Sequence, residues 1–332
     1  MAKRFEMNRR QLMTGTALLT AGIPALKVAA KFADPAPDLT GTSILITGCS
    51  SGFGRLGAEH YARLGAKVFA TMRNLPRPEA DELRTVAERD NLDIEIIDID
   101  VLSDTSVSAG VEKALASTGG TLDVLINNAG IGITGPVEVQ DMEATKLAFD
   151  TNVFGAQRMI RAALPAMRAA GKGQIFSISS QLGRVIIPGA GHYSATKFAL
   201  EALNEQLAYE LVPHGIDVTL IQPGGYPTQI WVKRNRYNTD LKNRASKERL
   251  AAYPQMAASM GRDDGNNSPH DPMDIPHAIV EIISMPAGSR PLRRAVHPAY
   301  RPQEAINAVS AKTQLEFLGK SAYGPWIKAV LG

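Results

Sequence analysis

The chain is poor in the features that mark several large classes of protein. It has one cysteine, Cys49, in 332 residues, so no disulfide framework can form within it. Its six histidines are scattered and, with a single cysteine, indicate no zinc site. Neither sign of charge dominates: 36 Lys and Arg stand against 33 Asp and Glu, a net +3, and nothing in that balance asks for nucleic acid. Long hydrophobic runs are missing too, since the apolar stretch from Gln11 to Leu26 is broken by Gly22 and Pro24, which disfavours a permanent membrane span. No internal repeat or low-complexity tract is apparent. What remains, 44% hydrophobic and 21% charged, is an ordinary globular composition with enough apolar side chains for a sizeable core.

The first thirty residues differ in character. Lys3, Arg4, Arg9 and Arg10 precede the apolar stretch, and five basic against one acidic side chain give this segment +4 of the net +3, leaving −1 for the rest. Asn8-Arg9-Arg10-Gln11-Leu12-Met13 looks like a twin-arginine export signal, with Val28-Ala29-Ala30 as its cleavage site. The expectation is a signal peptide over 1–30, a linker over 31–41, and delivery of a folded protein through the twin-arginine (Tat) export machinery to the periplasm or beyond. A disordered basic leader or an anchoring tail is the alternative, and with it a cytoplasmic or membrane-associated protein.

Chemistry concentrates further on. Ser43-Ile44-Leu45-Ile46-Thr47 is a short apolar run that ends in Gly48-Cys49-Ser50-Ser51-Gly52-Phe53-Gly54, and Gly52 to Leu64 continues with helical spacing. Strand, glycine turn and helix in that order bring backbone N–H groups and a positive dipole end to a pyrophosphate. The next strand, Lys67 to Met72, is followed by Arg73, where a carboxylate would select a ribose hydroxyl. A guanidinium suits a 2′-phosphate instead, favouring NADP(H) with NAD(H) possible; alternatively Arg73 only opens a solvated loop with Asn74, Arg77 and Pro78. A third strand, Ile94 to Ile99, ends at Asp100-Val101, which can read an adenine edge, although Asp100 can equally cap the following helix. Leu122 to Ile126 runs into Asn127-Asn128-Ala129-Gly130, a nucleotide-side wall or simply a turn.

Residues 173–179 read as a buried strand that puts Ser180 at its C-terminal end, where open α/β sheets bind ligands. Thirteen residues on, Tyr193 and Lys197 share one face of a helix marked by Phe198, Leu200, Leu203, Leu207 and Leu211. An ammonium beside a phenol favours its ionised form, so the pair can move a proton nearer neutrality; alone, however, Tyr-x-x-x-Lys also arises by chance. Asn152 sits awkwardly inside a helical stretch from about Met142 to Ala169, which points to a polar role.

Together these residues resemble the short-chain dehydrogenase/reductase family, from roughly Thr42 to Val296. The resemblance leans toward its steroid- and retinol-type branch through Ala70-Thr71-Met72-Arg73-Asn74 and the Pro291-Leu292-Arg293-Arg294 strand. It implies an α/β fold, a doubly wound Rossmann-like three-layer sandwich with a seven-stranded parallel sheet, in one catalytic domain over 42–297. It also implies roles: Tyr193 as general acid/base, Ser180 orienting the reacting oxygen, Lys197 holding the nicotinamide ribose, and Asn152 anchoring a proton relay. Thr47, Gly48, Gly52 and Gly54 match the cofactor loop, with Ser50, Ser51 and Phe53 inside it. Arg73, Asp100, Asn127 and Ala129 match the adenosine side, and Pro223, Gly224 and Thr228 border the nicotinamide. Thr196 stands where serine is commoner, and Gly225-Tyr226-Pro227 stiffens the loop that follows Gly224.

The implied reaction interconverts a secondary alcohol and a ketone or aldehyde. The 226–272 region carries Trp231, Tyr237, Tyr253, Met256 and Met260 amid basic residues; it forms a lid over a hydrophobic substrate or an amphipathic surface helix with a solvated basic face. The extension over 298–332 covers the substrate mouth or a subunit contact, and relatives often form homo-oligomers through the helices carrying Asn152 and Tyr193. A silent nucleotide-binding regulator, or a lyase or epimerase using nicotinamide transiently, are the rivals; a regulator would show a damaged Ser-Tyr-Lys-Asn set, and this one is whole. An exported enzyme would also need tightly held cofactor, since a free NADPH pool is not expected outside the cytoplasm.

Overall fold

Alternation of side chains along short apolar runs decides the layers. In β1 (Ser43–Ile46) Ile44 and Ile46 face one side and Leu45 the other, and all three are fully buried. The chain continues through α1 (Gly52–Arg63), β2 (Lys67–Met72), α2 (Pro78–Asp90), β3 (Ile94–Asp98), α3 (Asp104–Ala116), β4 (Val124–Asn127), α4 (Met142–Phe149), α5 (Gly155–Ala170) and β5 (Gly173–Ile178). Then follow α6 (His192–Leu211), β6 (Ile216–Pro223), α7 (Ile230–Arg244), α8 (Lys247–Ala252), α9 (Pro254–Ser259), α10 (Asp274–Ile283), β7 (Arg293–Val296), α11 (Gln303–Leu318) and α12 (Gly324–Leu331). This computed structural model describes residues 37–262 and 268–332; the expected signal peptide and most of the linker lie outside the described residues.

All seven strands are parallel, in the order β3-β2-β1-β4-β5-β6-β7. Ile44, Ile46, Val68, Ala70 and Ile126 pack on one face against Ala58 and Tyr61 of α1 and Ile279 and Ile282 of α10. Leu45, Phe69, Leu125 and Ile175 pack on the other against Val111 of α3, Met159, Ala163 and Met167 of α5, and Leu211 of α6. Each buried Ile, Leu, Val, Phe or Met among them contributes about 1.5–3 kcal/mol, so the sandwich is held from both faces. The strand order reverses between β1 and β4, and the C-terminal ends of those strands open the crevice where such sheets take ligands.

Several boundaries differ from the sequence reading. The first strand stops at Ile46, the fourth is Val124–Asn127, and the seventh is Arg293–Val296 rather than the Pro291–Arg294 run. The helix around Asn152 is not continuous: α4 and α5 are joined by one wide π-helical turn, Asp150–Phe154, which carries Asn152. Asp100 does not cap α3. Ser103 does, accepting from Ser106 N, while the Asp100 carboxylate accepts from Leu102 N at 3.1 Å.

The 226–272 region combines both expected characters. Leu241 and Met260 are buried against Ile133, Val139, Ala144 and Ala148, while most of the basic side chains stay outside. In the C-terminal extension, Asn307 of α11 exchanges amide hydrogen bonds with Gln222 and accepts from Arg184, and α12 lies against α6.

Candidate active site

Ser180 follows the last residues of β5 and is buried, its Oγ accepting from Leu182 N at 3.1 Å. The first turn of α6 is seated by a buried glutamine: Gln140 Oε1 accepts from His192 N at 2.7 Å, and Gln140 Nε2 donates to Ile133 O at 3.0 Å. That seating places Tyr193 in the same cleft as Ser180. Lys197, one turn on, is buried with Nζ 5.6 Å from the Tyr193 ring centroid, and donates to Ile178 O at 2.8 Å.

The wide turn in front of α5 aims Asn152 inward. Its Oδ1 accepts from Ile131 N at 2.8 Å, and its Nδ2 donates to Ile131 O at 2.9 Å and Thr196 Oγ1 at 3.0 Å. Thr196 Oγ1 in turn donates to Tyr193 O at 2.8 Å, so the threonine keeps a hydroxyl function in place of serine. Asn152 therefore braces the loop after Gly130 against the helix that carries Tyr193 and Lys197.

Electrostatics corrects one expectation. Burial lifts the Tyr193 phenol above its ordinary value, with the nearby Ser180 hydroxyl and the Arg234 charge pulling the other way; the lowering expected from Lys197 is not what dominates. Burial also pushes the Lys197 ammonium down to about 8, opposed by the charge of Glu201 one turn further along. The two shifts move the groups apart, so the phenol holds its proton more firmly while the ammonium gives its own up more readily.

These groups line a cleft of about 910 Å³. Its nucleotide side is walled by Gly48, Ser50, Ser51, Gly52 and Phe53, then by Arg73, Asp100 and Val101, then by Ala129 and Gly130. Pro223, Gly224 and Thr228 close the far edge. Thr47, Gly54, Asn127 and Asn152 stand behind these walls. Thr47 Oγ1 accepts from Asn128 N at 3.0 Å and Ala129 N at 2.9 Å, locking the two turns together. Gly48 has φ +77, and a Cβ at Gly54 would sit 2.5 Å from both Gly48 O and Asn128 Nδ2, so glycine at 54 serves the close packing of the turn on the next loop. The Asn127 side chain is buried without a hydrogen-bond partner and does not reach the cleft, a correction to its expected place on the adenosine wall.

Sequence reasoning passed over four contributors. Asn128 Nδ2 donates to Thr47 O at 2.7 Å and so braces the glycine turn, a role the alternation at a strand end assigns to the second asparagine rather than the first. From α7, Lys233 reaches Ser51 Oγ at 2.8 Å, and the Arg234 guanidinium stacks on Trp231 with its carbon 4.2 Å from the ring centroid. Arg77, fixed by Glu79, also lines the cleft. Their basic character was visible in the sequence; which faces of the helix and loop meet the cleft was not.

A family model described as short chain dehydrogenase matches residues 42–239. Retinol dehydrogenase 8 of Bos taurus is 33% identical over 278 residues, covering 82% of this chain and 87% of that protein. The 3-ketodihydrosphingosine reductase of Bacteroides thetaiotaomicron is 41% identical over 192 residues, covering 58% of this chain and 66% of that one. Among solved structures, a short chain dehydrogenase/reductase from Burkholderia phymatum in complex with NAD is 25% identical with a TM-score of 0.69, covering 83% of this chain and 96% of that one.

Proposed function

The chain belongs to the short-chain dehydrogenase family, an oxidoreductase with a nicotinamide cofactor, and from that premise we propose that it interconverts a hydrophobic secondary alcohol and its ketone or aldehyde using NADP(H). The observation that carries this reading is the convergence of Ser180, Tyr193 and Lys197 on one cleft at the reversal point of the sheet, with Asn152 braced behind them.

The residues present fit such a cofactor. The N-cap of α1, Ser51, makes no side-chain capping bond, so the first N–H groups of that helix are open to a diphosphate. Arg73 is exposed at the end of β2 and its guanidinium has no partner among the described residues, which suits a 2′-phosphate. When bound, the nicotinamide supplies or accepts the hydride.

The chain's own side chains handle the oxygen and its proton. Ser180 Oγ orients the substrate oxygen beside the Tyr193 hydroxyl. In reduction Tyr193 donates its proton to that oxygen; in oxidation it takes the proton back. Lys197 holds positive charge beneath the ring and steadies the phenolate that donation leaves. Asn152 keeps Ile131 and Thr196 in register, and with them the helix turn on which Tyr193 rides.

Ile131, Leu182, Ile187, Trp231, Met256 and Met260 line the substrate side, which supports an apolar substrate, as do relatives named for retinol and 3-ketodihydrosphingosine. Export through the twin-arginine route, carried by Asn8 to Met13, belongs to the same proposal; Arg9→Lys with Arg10→Lys should abolish transport in a fractionation assay. Tyr193→Phe tests the chemistry. Absorbance at 340 nm with NADPH and apolar ketones should show turnover in the wild type and none in the variant, while cofactor affinity stays within about threefold. Equal loss of turnover and cofactor binding would make the tyrosine a structural residue.

A further inference from the structure

Helix α7 belongs by sequence to the region over the substrate, yet one of its side chains reaches across the cleft. Lys233 Nζ lies 2.8 Å from Ser51 Oγ and 3.4 Å from Ser50 Oγ, both in the glycine turn. Ser50, Ser51, Arg73, Arg77 and Lys233 line the same cleft, which gathers three cations at its nucleotide end. The cations differ in commitment. Arg77 is held in a fork by Glu79, at 2.8 and 2.9 Å, and donates to Arg73 O at 3.2 Å. Arg73 has no side-chain partner among the described residues, and the hydrogen bonds of Lys233 go only to hydroxyls. Burial chiefly, with the nearby Arg77 and Arg73 charges, holds the Lys233 ammonium below its ordinary value, while Glu79 opposes.

The rest of α7 is anchored on the substrate side. Asn238 Nδ2 donates to Thr134 Oγ1 at 2.8 Å and Asn238 Oδ1 accepts from Thr134 N at 2.9 Å. Leu241 is fully buried, and Arg244 pairs with Asp141. Thus one helix is pinned to the substrate wall by its C-terminal half and laid on the glycine turn by Lys233. Toward the serine hydroxyls the ammonium meets neutral acceptors, whereas a phosphate oxygen carries the opposite full charge and is the stronger partner. A phosphate within reach of the three cations therefore draws Lys233 off the serine hydroxyls.

We propose that Lys233 is a second determinant of NADP(H) recognition: with Arg73 it binds the 2′-phosphate, and because it rides on α7 it couples ordering of the substrate-side helix to the presence of that phosphate. This rests on the NADP(H) reading above. An enzyme so built closes its substrate wall on the phosphorylated dinucleotide and leaves it looser with NAD(H).

The test uses two probes that lack nicotinamide, adenosine 2′,5′-bisphosphate and AMP, with calorimetric affinity and hydrogen exchange of residues 230–244 as readouts on the full chain. In the wild type the bisphosphate should bind at least tenfold tighter than AMP and protect 230–244. Lys233→Met should weaken the bisphosphate about 10- to 50-fold, leave AMP within threefold and abolish the protection, and Lys233→Arg should restore most of both. The proposal falls if Lys233→Met weakens both probes equally, or if protection persists in that variant. Loss of the preference in Arg73→Met but not in Lys233→Met would keep the NADP(H) reading and refute the role of Lys233. A wild type without preference for the bisphosphate would overturn both.

Discussion

Replacing Arg293 by methionine should destabilise the protein in a way that acid relieves. Arg293 on β7 is 6% exposed, and its guanidinium bonds Glu201 at 2.7 Å and Glu205 at 2.5 Å on α6; Glu201 is 2% exposed and also accepts from Gln222 Nε2. Burial pushes the Glu205 carboxyl up, but Arg293 and the Tyr209 hydroxyl outweigh it and hold the group below its ordinary value. Such a depressed carboxyl adds stability above its unfolded value, near 4.3, and that stability is lost as pH falls through the lower folded value. Without Arg293 the sign inverts. The half-buried Glu205 carboxylate then sits beside the buried Glu201 without a counter-charge, its folded value rises, and the penalty is full at alkaline pH and fades as pH falls through the raised value.

Breaking a buried pair costs about 3–5 kcal/mol, and the Arg184 charge, which also acts on both carboxylates, keeps this case near the lower figure. At about 2 °C per kcal/mol for a domain of this size, Arg293→Met should lower Tm by about 6 °C at pH 8 and by less than half that at pH 5. Thermal melts of both proteins across pH 5–8 measure it. An equal deficit at both ends would mean that lost packing, and not stranded charge, is the cause, and the electrostatic reasoning would be wrong.

Two further outcomes follow from the site. Gly54→Ala would place a methyl 2.5 Å from Gly48 O and Asn128 Nδ2, so the glycine turn should shift and NADP(H) affinity fall more than about tenfold while the fold, read by circular dichroism, persists. Since Lys197 is pushed down to about 8, it carries its charge below that pH and loses it above; kcat/KM for carbonyl reduction should therefore decline as pH rises through about 8. Glu201→Gln removes the charge that supports it and should move this limb to lower pH; an unmoved limb would assign it to another group.

Much of the architecture was legible because local signals agree with the global fold. Short apolar runs marked β1, β2, β4 and β5 within about two residues, and the strand, glycine turn and helix order identified the nucleotide end. Tyr193 and Lys197 were readable because four residues make one helical turn, and Ser180 because strand ends meet ligands. The π-turn at Asn152 escaped, since one extra residue in a helical turn leaves no mark in hydrophobic periodicity.

By itself, then, the sequence determined the layered α/β plan and the spacing that brings Ser180, Tyr193 and Lys197 to one cleft, for these depend on spacing along the chain. Only the tertiary structure decided what depends on faces meeting across long separations. It turned Asn127 into the core and Asn128 onto the glycine turn, set Arg293 between two glutamates more than 80 residues away, and brought Lys233 to Ser51 across 182 residues. The physical reason is that a side chain's direction at an element's end, and the partner it meets, are fixed by how helices and sheet pack, which no local periodicity encodes.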